Sequence, residues 1–285
     1  PPYETGWIAW SQYFKEYGRA LDMLSHLESY KHESIKDAKM DVFKEVVNYK
    51  TVFEQIEEAA SVKAYEIMPS YSDRRSKRTI KADSIDEIVD NILMLDKNSE
   101  EKFVMAYSDN PDGLLHKYGT DSDEAANFIK ETEDKLEAMC QKLSDDTIVI
   151  ISADHGHKNI ENPHTILDYE DLQECFLMPP ALEARCLTFW IKPDMKKEFE
   201  KRFNEKFDKE FWLMTKEEFL NKNFLGFGVK HKKIDEFLGD YMALSISNSM
   251  INLETYLAPG KPLKKSTHCG LTKEEMEVPV IVAKR

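Results

Sequence analysis

The sequence predicts an α/β protein with a mostly parallel central sheet. Short runs rich in β-branched residues alternate along the chain with longer charged stretches whose apolar residues recur at three- and four-residue steps. Three of the short runs are almost continuously apolar, which is typical of strands buried on both faces of a sheet. Because strands that alternate with helices build parallel sheets covered on both sides, we expect a three-layer αβα sandwich.

Six strands and two helices follow from these patterns. The strands are expected at residues 61–67, 102–107, 147–152, 185–191, 241–245 and 278–283. The helices are expected at residues 85–95 and 123–143, where the apolar side chains form one stripe. Residues 9–60 contain many aromatic and charged residues, and their spacing is also helical.

The chain shows no linker that would divide it into domains. No stretch rich in Gly, Ser and Pro separates two apolar regions, so a single α/β domain is expected over residues 1–285. Residues 194–238 interrupt the alternation with a charged and aromatic stretch. Two interpretations stay open for this stretch. It is either a small cap inserted over one edge of the sheet, which we adopt as the domain description, or a solvated helical segment.

The composition excludes several classes of partner. The chain has 39 Lys and Arg against 53 Asp and Glu, and its net charge of −14 would repel the phosphates of a nucleic-acid polymer. No apolar run reaches the roughly 18–20 residues that cross a bilayer. The four cysteines have no CxxC spacing, which predicts free thiols in a reducing, cytoplasmic compartment.

The strongest local signal follows the strand at residues 147–152. The apolar run leads into Asp154, His155 and Gly156, and ligands of open α/β sheets bind at the carboxyl ends of strands. A carboxylate and a neutral imidazole that are adjacent in the chain can both reach one metal ion. A solvated turn would explain the same residues. His157 either contacts the metal ligands without binding the ion itself, or only lines the turn.

A second polar group follows the strand at residues 102–107. Asp112 and His116 are four residues apart, so one turn of helix or a tight glycine loop would bring both onto one ion. If the strands run parallel, this group lies at the same edge of the sheet as Asp154. The alternative is an Asn-Pro-Asp-Gly turn with an unrelated surface histidine.

A third element, the loop around His268, lies near the end of the chain and indicates nothing alone. Together, a Pro-Asp-x-x-x-His motif, an Asp-His-Gly motif about 40 residues later and this late histidine loop resemble the alkaline phosphatase superfamily. Within it, the sequence most resembles the nucleotide pyrophosphatase/phosphodiesterase-like branch of bacterial proteins. The stretches VKAYEIMP, GDYMALSIS and THCGLTKEEMEVPVIV are similar to that branch as well.

The resemblance implies an alkaline phosphatase-like fold and a metal-dependent hydrolase of phosphoric esters, of the phosphodiesterase or nucleotide pyrophosphatase type. Such enzymes use two divalent ions, usually zinc, about 4 Å apart. By their places in the motifs, Asp112, His116 and His268 would hold one ion, and Asp154 and His155 the other. A small phosphate ester or nucleotide is the implied substrate, since two adjacent cations would attract it to an acidic protein.

The sequence departs from the family pattern near its start. The resemblance implies an early strand that ends in Asp and is followed by a nucleophilic Thr or Ser, and neither precedes Trp7. Thr5 lacks the preceding strand, so we assign no catalytic nucleophile and expect an inactive fragment. Cys269 stands where many relatives have Gly, and packing is its favoured role. The alternatives to a hydrolase are a non-catalytic relative that binds metal or a partner, and a phosphomutase or sulfatase activity.

Overall fold

A computed structural model of the chain describes residues 1–23, 46, 49–72, 76–253 and 263–284. The chain forms two compact units. Unit 1 contains Pro1–Asn48 and Lys158–Glu277, and unit 2 contains Tyr49–His157 and Val278–Arg285. The single domain expected over residues 1–285 stays a prediction.

The elements alternate between strands and helices along most of the chain. The strands are β1 Ser11–Phe14, β2 Arg19–Asp22, β3 Lys63–Met68, β4 Thr79–Lys81, β5 Lys102–Ala106, β6 Ile148–Ser152, β7 Lys158–Asn159, β8 Asn162–Thr165, β9 Phe176–Glu183, β10 Cys186–Ile191, β11 Phe211–Thr215, β12 Tyr241–Ser245, β13 Ser249–Asn252, β14 Ser266–Thr267 and β15 Val280–Lys284. The helices are α1 Pro2–Thr5, α2 Val52–Ala59, α3 Ile85–Asp96, α4 Asp112–Tyr118, α5 Asp123–Cys140, α6 Glu170–Gln173, α7 Lys196–Phe207, α8 Lys216–Asn221, α9 Ile234–Phe237 and α10 Lys273–Met276.

The six predicted strands and the two predicted helices are confirmed, with ends that differ by at most three residues. The helical expectation for residues 9–60 holds for α2 but is wrong for β1 and β2, which pair as an antiparallel hairpin. There the buried side chains of Gln12 and Phe14 alternate with less buried neighbours, which is the period of a strand. Residues 24–45, 47 and 48 lie outside the described part of the chain.

Unit 2 contains the parallel sheet that the alternation of elements predicted. Its strand order is β4-β3-β5, and the central strand β3 runs parallel to both neighbours. Ile67 of β3 is fully buried and belongs to one cluster with Ile88 of α3, so α3 covers this sheet through its apolar stripe. Consequently, the polar segments after β5 emerge at the carboxyl edge of a parallel sheet.

The strands β6 and β15 differ from the prediction in their burial. They pair with each other in antiparallel orientation, and burial on both faces was expected from their apolar sequences. That expectation is wrong in the part of the chain described here, because Ile150 and Val280 are each 67% exposed. An apolar run reports the hydrophobicity of a strand but does not determine which element covers it.

Helix α5 begins at a serine cap. The Ser122 hydroxyl accepts a hydrogen bond from the Ala125 amide and donates one of 2.9 Å to the Gly119 carbonyl. Replacing Ser122 with alanine leaves that amide without its partner and should lower the free energy of unfolding by about 1 kcal/mol. Urea denaturation measures this change. Glu133→Gln, an exposed change within the same helix, is the control, and equal midpoints for the two variants would contradict the prediction.

Unit 1 is built around the antiparallel sheet β11-β12-β10-β9, which the mostly parallel expectation did not include. Phe199, Phe203 and Phe207 recur at four-residue steps on α7 and are almost completely buried against this sheet. The charged stretch at residues 194–238 thus contributes α7, β11, α8 and α9 to the core of unit 1. Its role as an inserted cap stays a prediction. Among the described helices, none combines the length and apolar character that a membrane span requires.

Candidate metal centre

Asp112 and His116 stand one turn apart on α4. The helix begins at Asp112 after the loop that follows β5, and a carboxylate in the first turn is favoured by the helix dipole. The four-residue spacing places both side chains on one face of the helix. His116 Nε2 lies 3.3 Å from Asp112 Oδ1, and the His116 side chain is only 16% exposed. The helical turn that the spacing predicted therefore brings this carboxylate and this imidazole together.

His157 reaches the same carboxylate from the segment that follows β6. Its Nε2 lies 2.7 Å from Asp112 Oδ1, and its side chain is 3% exposed. The rings of His116 and His157 meet edge to face, with 4.9 Å between their centroids. One potential ligand atom from each of the three residues lies within 4.8 Å of the other two. One carboxylate and two imidazoles thus converge on a single point within unit 2.

The sequence interpretation did not assign His157 to the metal site. A signal was nevertheless present, because His155 and His157 are two residues apart just after a strand, and side chains two residues apart in extended backbone point to the same side. Their ring centroids are 5.4 Å apart. The residue between them is Gly156, so the local sequence contains no apolar side chain that would indicate the buried side of the segment. The spacing alone therefore did not decide the role of His157.

Asp154 and His155, the pair predicted for the second ion, lie at the carboxyl end of β6. His155 Nε2 is 3.7 Å from Asp154 Oδ1, and the His155 amide donates a 3.1 Å hydrogen bond to the same oxygen. His155 Nδ1 lies 3.0 Å from the Gly156 carbonyl oxygen, which only accepts, so Nδ1 carries the proton. In the neutral ring, Nε2 is therefore the unprotonated nitrogen, which is the form of imidazole nitrogen that binds a metal ion.

His268, the fifth predicted ligand, lies in unit 1 directly after β14. The residue is 8% exposed, and its Nδ1 is 3.0 Å from the Cys269 sulfur. Burial raises the pKa of the Cys269 thiol well above its ordinary value, so the thiol stays protonated at neutral pH. The packing role favoured for Cys269 from the sequence stays a prediction. The role of His268 as a ligand stays a prediction.

An exposed tyrosine lies next to the loop before α4. The Tyr71 hydroxyl donates a 3.1 Å hydrogen bond to Asp109 Oδ2, although 64% of the residue is exposed. Desolvation of the hydroxyl and the charge of Asp109 raise the pKa of Tyr71 to about 12. The phenol is therefore protonated at neutral pH and holds Asp109 in this contact. Nothing in the sequence pattern had indicated Tyr71.

A comparison with the profiles of known families shows which protein family the chain belongs to. Residues 10–224 match the profile of the family described as type I phosphodiesterase / nucleotide pyrophosphatase, and this match spans more than half of the chain. The chain belongs to that family. The resemblance to the nucleotide pyrophosphatase branch of the alkaline phosphatase superfamily is thereby confirmed, and the family is one of phosphoric ester hydrolases. No curated protein matches the sequence.

Two solved structures show how this phosphodiesterase family member folds. An inactive variant of murine ectonucleotide pyrophosphatase/phosphodiesterase 5 in complex with AMP has a TM-score of 0.68 at 13% identity, covering 99% of this chain and 72% of that chain. Phosphonoacetate hydrolase from Sinorhizobium meliloti in complex with phosphonoformate has a TM-score of 0.62 at 15% identity, covering 99% and 75%. The alkaline phosphatase-like α/β fold is therefore confirmed.

Proposed function

We propose that this protein is a metal-dependent phosphoric ester hydrolase of the phosphodiesterase or nucleotide pyrophosphatase type. The observation that carries the proposal is the convergence of Asp112, His116 and His157 within unit 2. Membership in the phosphodiesterase family supports the reaction class. A solvated turn would not bring two histidines from different segments onto one carboxylate oxygen.

The donor set of this cluster fits zinc. Zinc favours tetrahedral sites built from imidazole nitrogens and carboxylate oxygens at about 2.0–2.2 Å, so neighbouring ligand atoms are separated by about 3.3 Å. The separation between His116 Nε2 and Asp112 Oδ1 is 3.3 Å. His157 Nε2 is closer to that oxygen, at 2.7 Å, because the two atoms share a hydrogen bond. A single Asp with two neutral imidazoles leaves a tetrahedral position for another ligand.

A second ion and a fourth ligand complete the proposed centre. Asp154 and His155 would hold the second divalent ion, which we also expect to be zinc. The tautomer of His155 that leaves Nε2 unprotonated supports this role. His268 would supply a further ligand to the first ion. This assignment rests on the sequence resemblance alone.

The residues of this chain hold and orient the metal centre. A zinc ion held by these residues would supply Lewis-acid chemistry for the hydrolysis of a phosphoric ester. Asp112 supplies the negative charge of the first site, and the burial of His157 restricts its ring to one orientation. No hydroxyl nucleophile is assigned in residues 1–285.

We propose a nucleotide or another small phosphate ester as the substrate. The AMP complex of the murine relative supports a nucleotide, and the phosphonoformate complex of the bacterial relative supports a compact anionic group. Two adjacent divalent ions would make the site locally attractive to an anion, although the whole chain carries a net charge of −14. The scattered cysteines without CxxC spacing support a reducing, cytoplasmic location.

A comparison of two nitrophenyl esters tests this function in the intact gene product. We expect bis(4-nitrophenyl) phosphate to be hydrolysed faster than 4-nitrophenyl phosphate. Treatment with a chelator should abolish hydrolysis, and added zinc should restore it. Hydrolysis that survives complete removal of metal would contradict the proposal. Tight metal binding without hydrolysis of either ester would instead favour a non-catalytic relative.

A further inference from the structure

A fully buried ion pair lies in unit 1. Arg185 follows β9 and Glu275 lies on α10, and their side chains are 0% and 1% exposed. Arg185 Nε and Nη2 donate to the two carboxylate oxygens of Glu275, and each distance is 2.6 Å. This bidentate arrangement is the strongest geometry that a guanidinium and a carboxylate form.

The other side of the guanidinium is fixed to backbone. Arg185 Nη1 donates to the Ser249 carbonyl at 2.6 Å, and Nη2 donates to the Ser247 carbonyl at 2.8 Å. Ser247 lies in the connection between β12 and β13, and the buried Ser249 is the first residue of β13 in unit 1. These hydrogen bonds hold the Arg185 side chain in one place, and the bidentate contact with Arg185 then fixes the position of the Glu275 carboxylate.

The carboxylate in turn holds the loop that contains His268. Glu275 Oε1 accepts a 2.8 Å hydrogen bond from the Gly270 amide, and Glu275 Oε2 accepts one of 2.6 Å from the Thr272 hydroxyl. The Leu271 amide also donates to the Ser245 carbonyl at 2.8 Å. Three consecutive residues after Cys269 are thus tied to the ion pair or to β12.

The backbone of this loop is shaped around the ion pair. A Cβ atom at Gly270 would lie 2.7 Å from both Arg185 Nη2 and Glu275 Oε2, so only glycine permits this approach. Cys269 has a φ of 78°, in the left-handed region that a side chain other than that of glycine rarely adopts. A conformation of this kind persists where the surroundings determine it. The hydrogen bond from the next amide to Glu275 provides that constraint.

We propose that Arg185 and Glu275 are positioning residues that fix His268 in the conformation in which it binds metal. The inference rests on the proposed function, because His268 is a ligand there. Stability alone does not require the pair, since apolar residues of similar volume often replace a buried ion pair without loss. A metal ligand, in contrast, must be held within about 0.5 Å of its working position. The pair supplies such a restraint two residues from His268.

Zinc titration of a double variant tests this inference. Arg185→Met with Glu275→Leu removes both charges together, so no unpaired charge remains buried. We expect the zinc affinity of the folded variant to fall about 10- to 100-fold, the usual cost of losing a residue that supports a metal ligand. The matched control is Arg202→Met with Glu198→Leu, which removes a 2.7 Å ion pair on α7 of the same unit. This control should leave zinc affinity unchanged.

A zinc titration of His268→Gln in parallel separates the ligand role of His268 from the positioning role of Arg185 and Glu275. Unchanged zinc affinity in His268→Gln would refute the ligand role of His268 and the positioning inference with it. Reduced affinity in His268→Gln with unchanged affinity in the folded double variant would overturn the positioning inference alone. If the double variant does not fold, Arg185→Lys keeps the charge but loses the bidentate contact. A folded Arg185→Lys that binds zinc like the unaltered protein would also overturn the inference.

Discussion

Replacing Asp112 with asparagine is expected to weaken zinc binding by at least about 100-fold, more than the loss of a supporting residue costs. The substitution preserves the shape of the side chain but removes the only negative charge of the three-residue cluster. Both imidazole nitrogens face the same oxygen of this residue, at 2.7 and 3.3 Å, so the substitution acts at the centre of the cluster. Competition with a chromophoric chelator measures the affinity. Ester hydrolysis by the intact gene product should fall in parallel.

Asp134→Asn provides the matched control for this change. Asp134 lies on α5 of the same unit, is 59% exposed and pairs with Lys130 at 2.7 Å. The substitution alters the net charge of the chain by the same amount, so any general electrostatic effect on zinc binding appears in both variants. Equal zinc affinities of the Asp112 and Asp134 variants would show that the cluster does not hold the metal.

Replacing Glu275 with alanine is expected to destabilise the protein by about 3–5 kcal/mol. The alanine leaves the guanidinium of Arg185 buried with no counter-charge, and it also removes the acceptor of the Gly270 amide. Urea denaturation of the metal-free protein measures the loss. Glu198→Ala is the control, because its side chain is 41% exposed and its pair with Arg202 should contribute at most about 1 kcal/mol. A loss at Glu275 no larger than that at Glu198 would contradict the role of the buried pair.

The same ion pair predicts how stability depends on pH. Burial raises the pKa of Glu275, but the hydrogen bonds from Arg185 and Thr272 and the guanidinium charge together outweigh it, so the pKa lies below its ordinary value of 4.5. A carboxyl whose pKa is lowered by folding contributes stability that is complete above the unfolded pKa. The contribution is lost as pH falls through the folded pKa. Below pH 4.5 the unaltered protein should therefore lose stability more steeply than Glu275→Ala.

The predictable parts of the structure are those that local patterns determine. The apolar stripe of α5 and the β-branched run of β3 specify their elements because side-chain periodicity is a property of the backbone geometry. Asp112 and His116 were found for the same reason, since a four-residue spacing becomes one turn of helix. The order of these motifs along the chain then sufficed to indicate the family.

The parts that were missed depend on contacts between distant segments. Arg185 and Glu275 are 90 residues apart, and no local pattern connects an arginine after one strand with a glutamate on a short helix. The antiparallel partners of β10 and β12 were missed because both strands are buried on both faces, as strands of a parallel sheet are. His157 was left undecided because its role depends on Asp112, which approaches it from a different element.

Anomalous diffraction at the zinc edge, from crystals grown with zinc, tests the metal centre most directly. The proposal predicts a peak bonded to an Asp112 oxygen and to the Nε2 atoms of His116 and His157, at about 2.0–2.2 Å from each. With the ion bound, His157 should no longer share its 2.7 Å hydrogen bond with Asp112. Zinc found only at other residues, with that hydrogen bond intact, would contradict the assignment of this cluster as the metal centre.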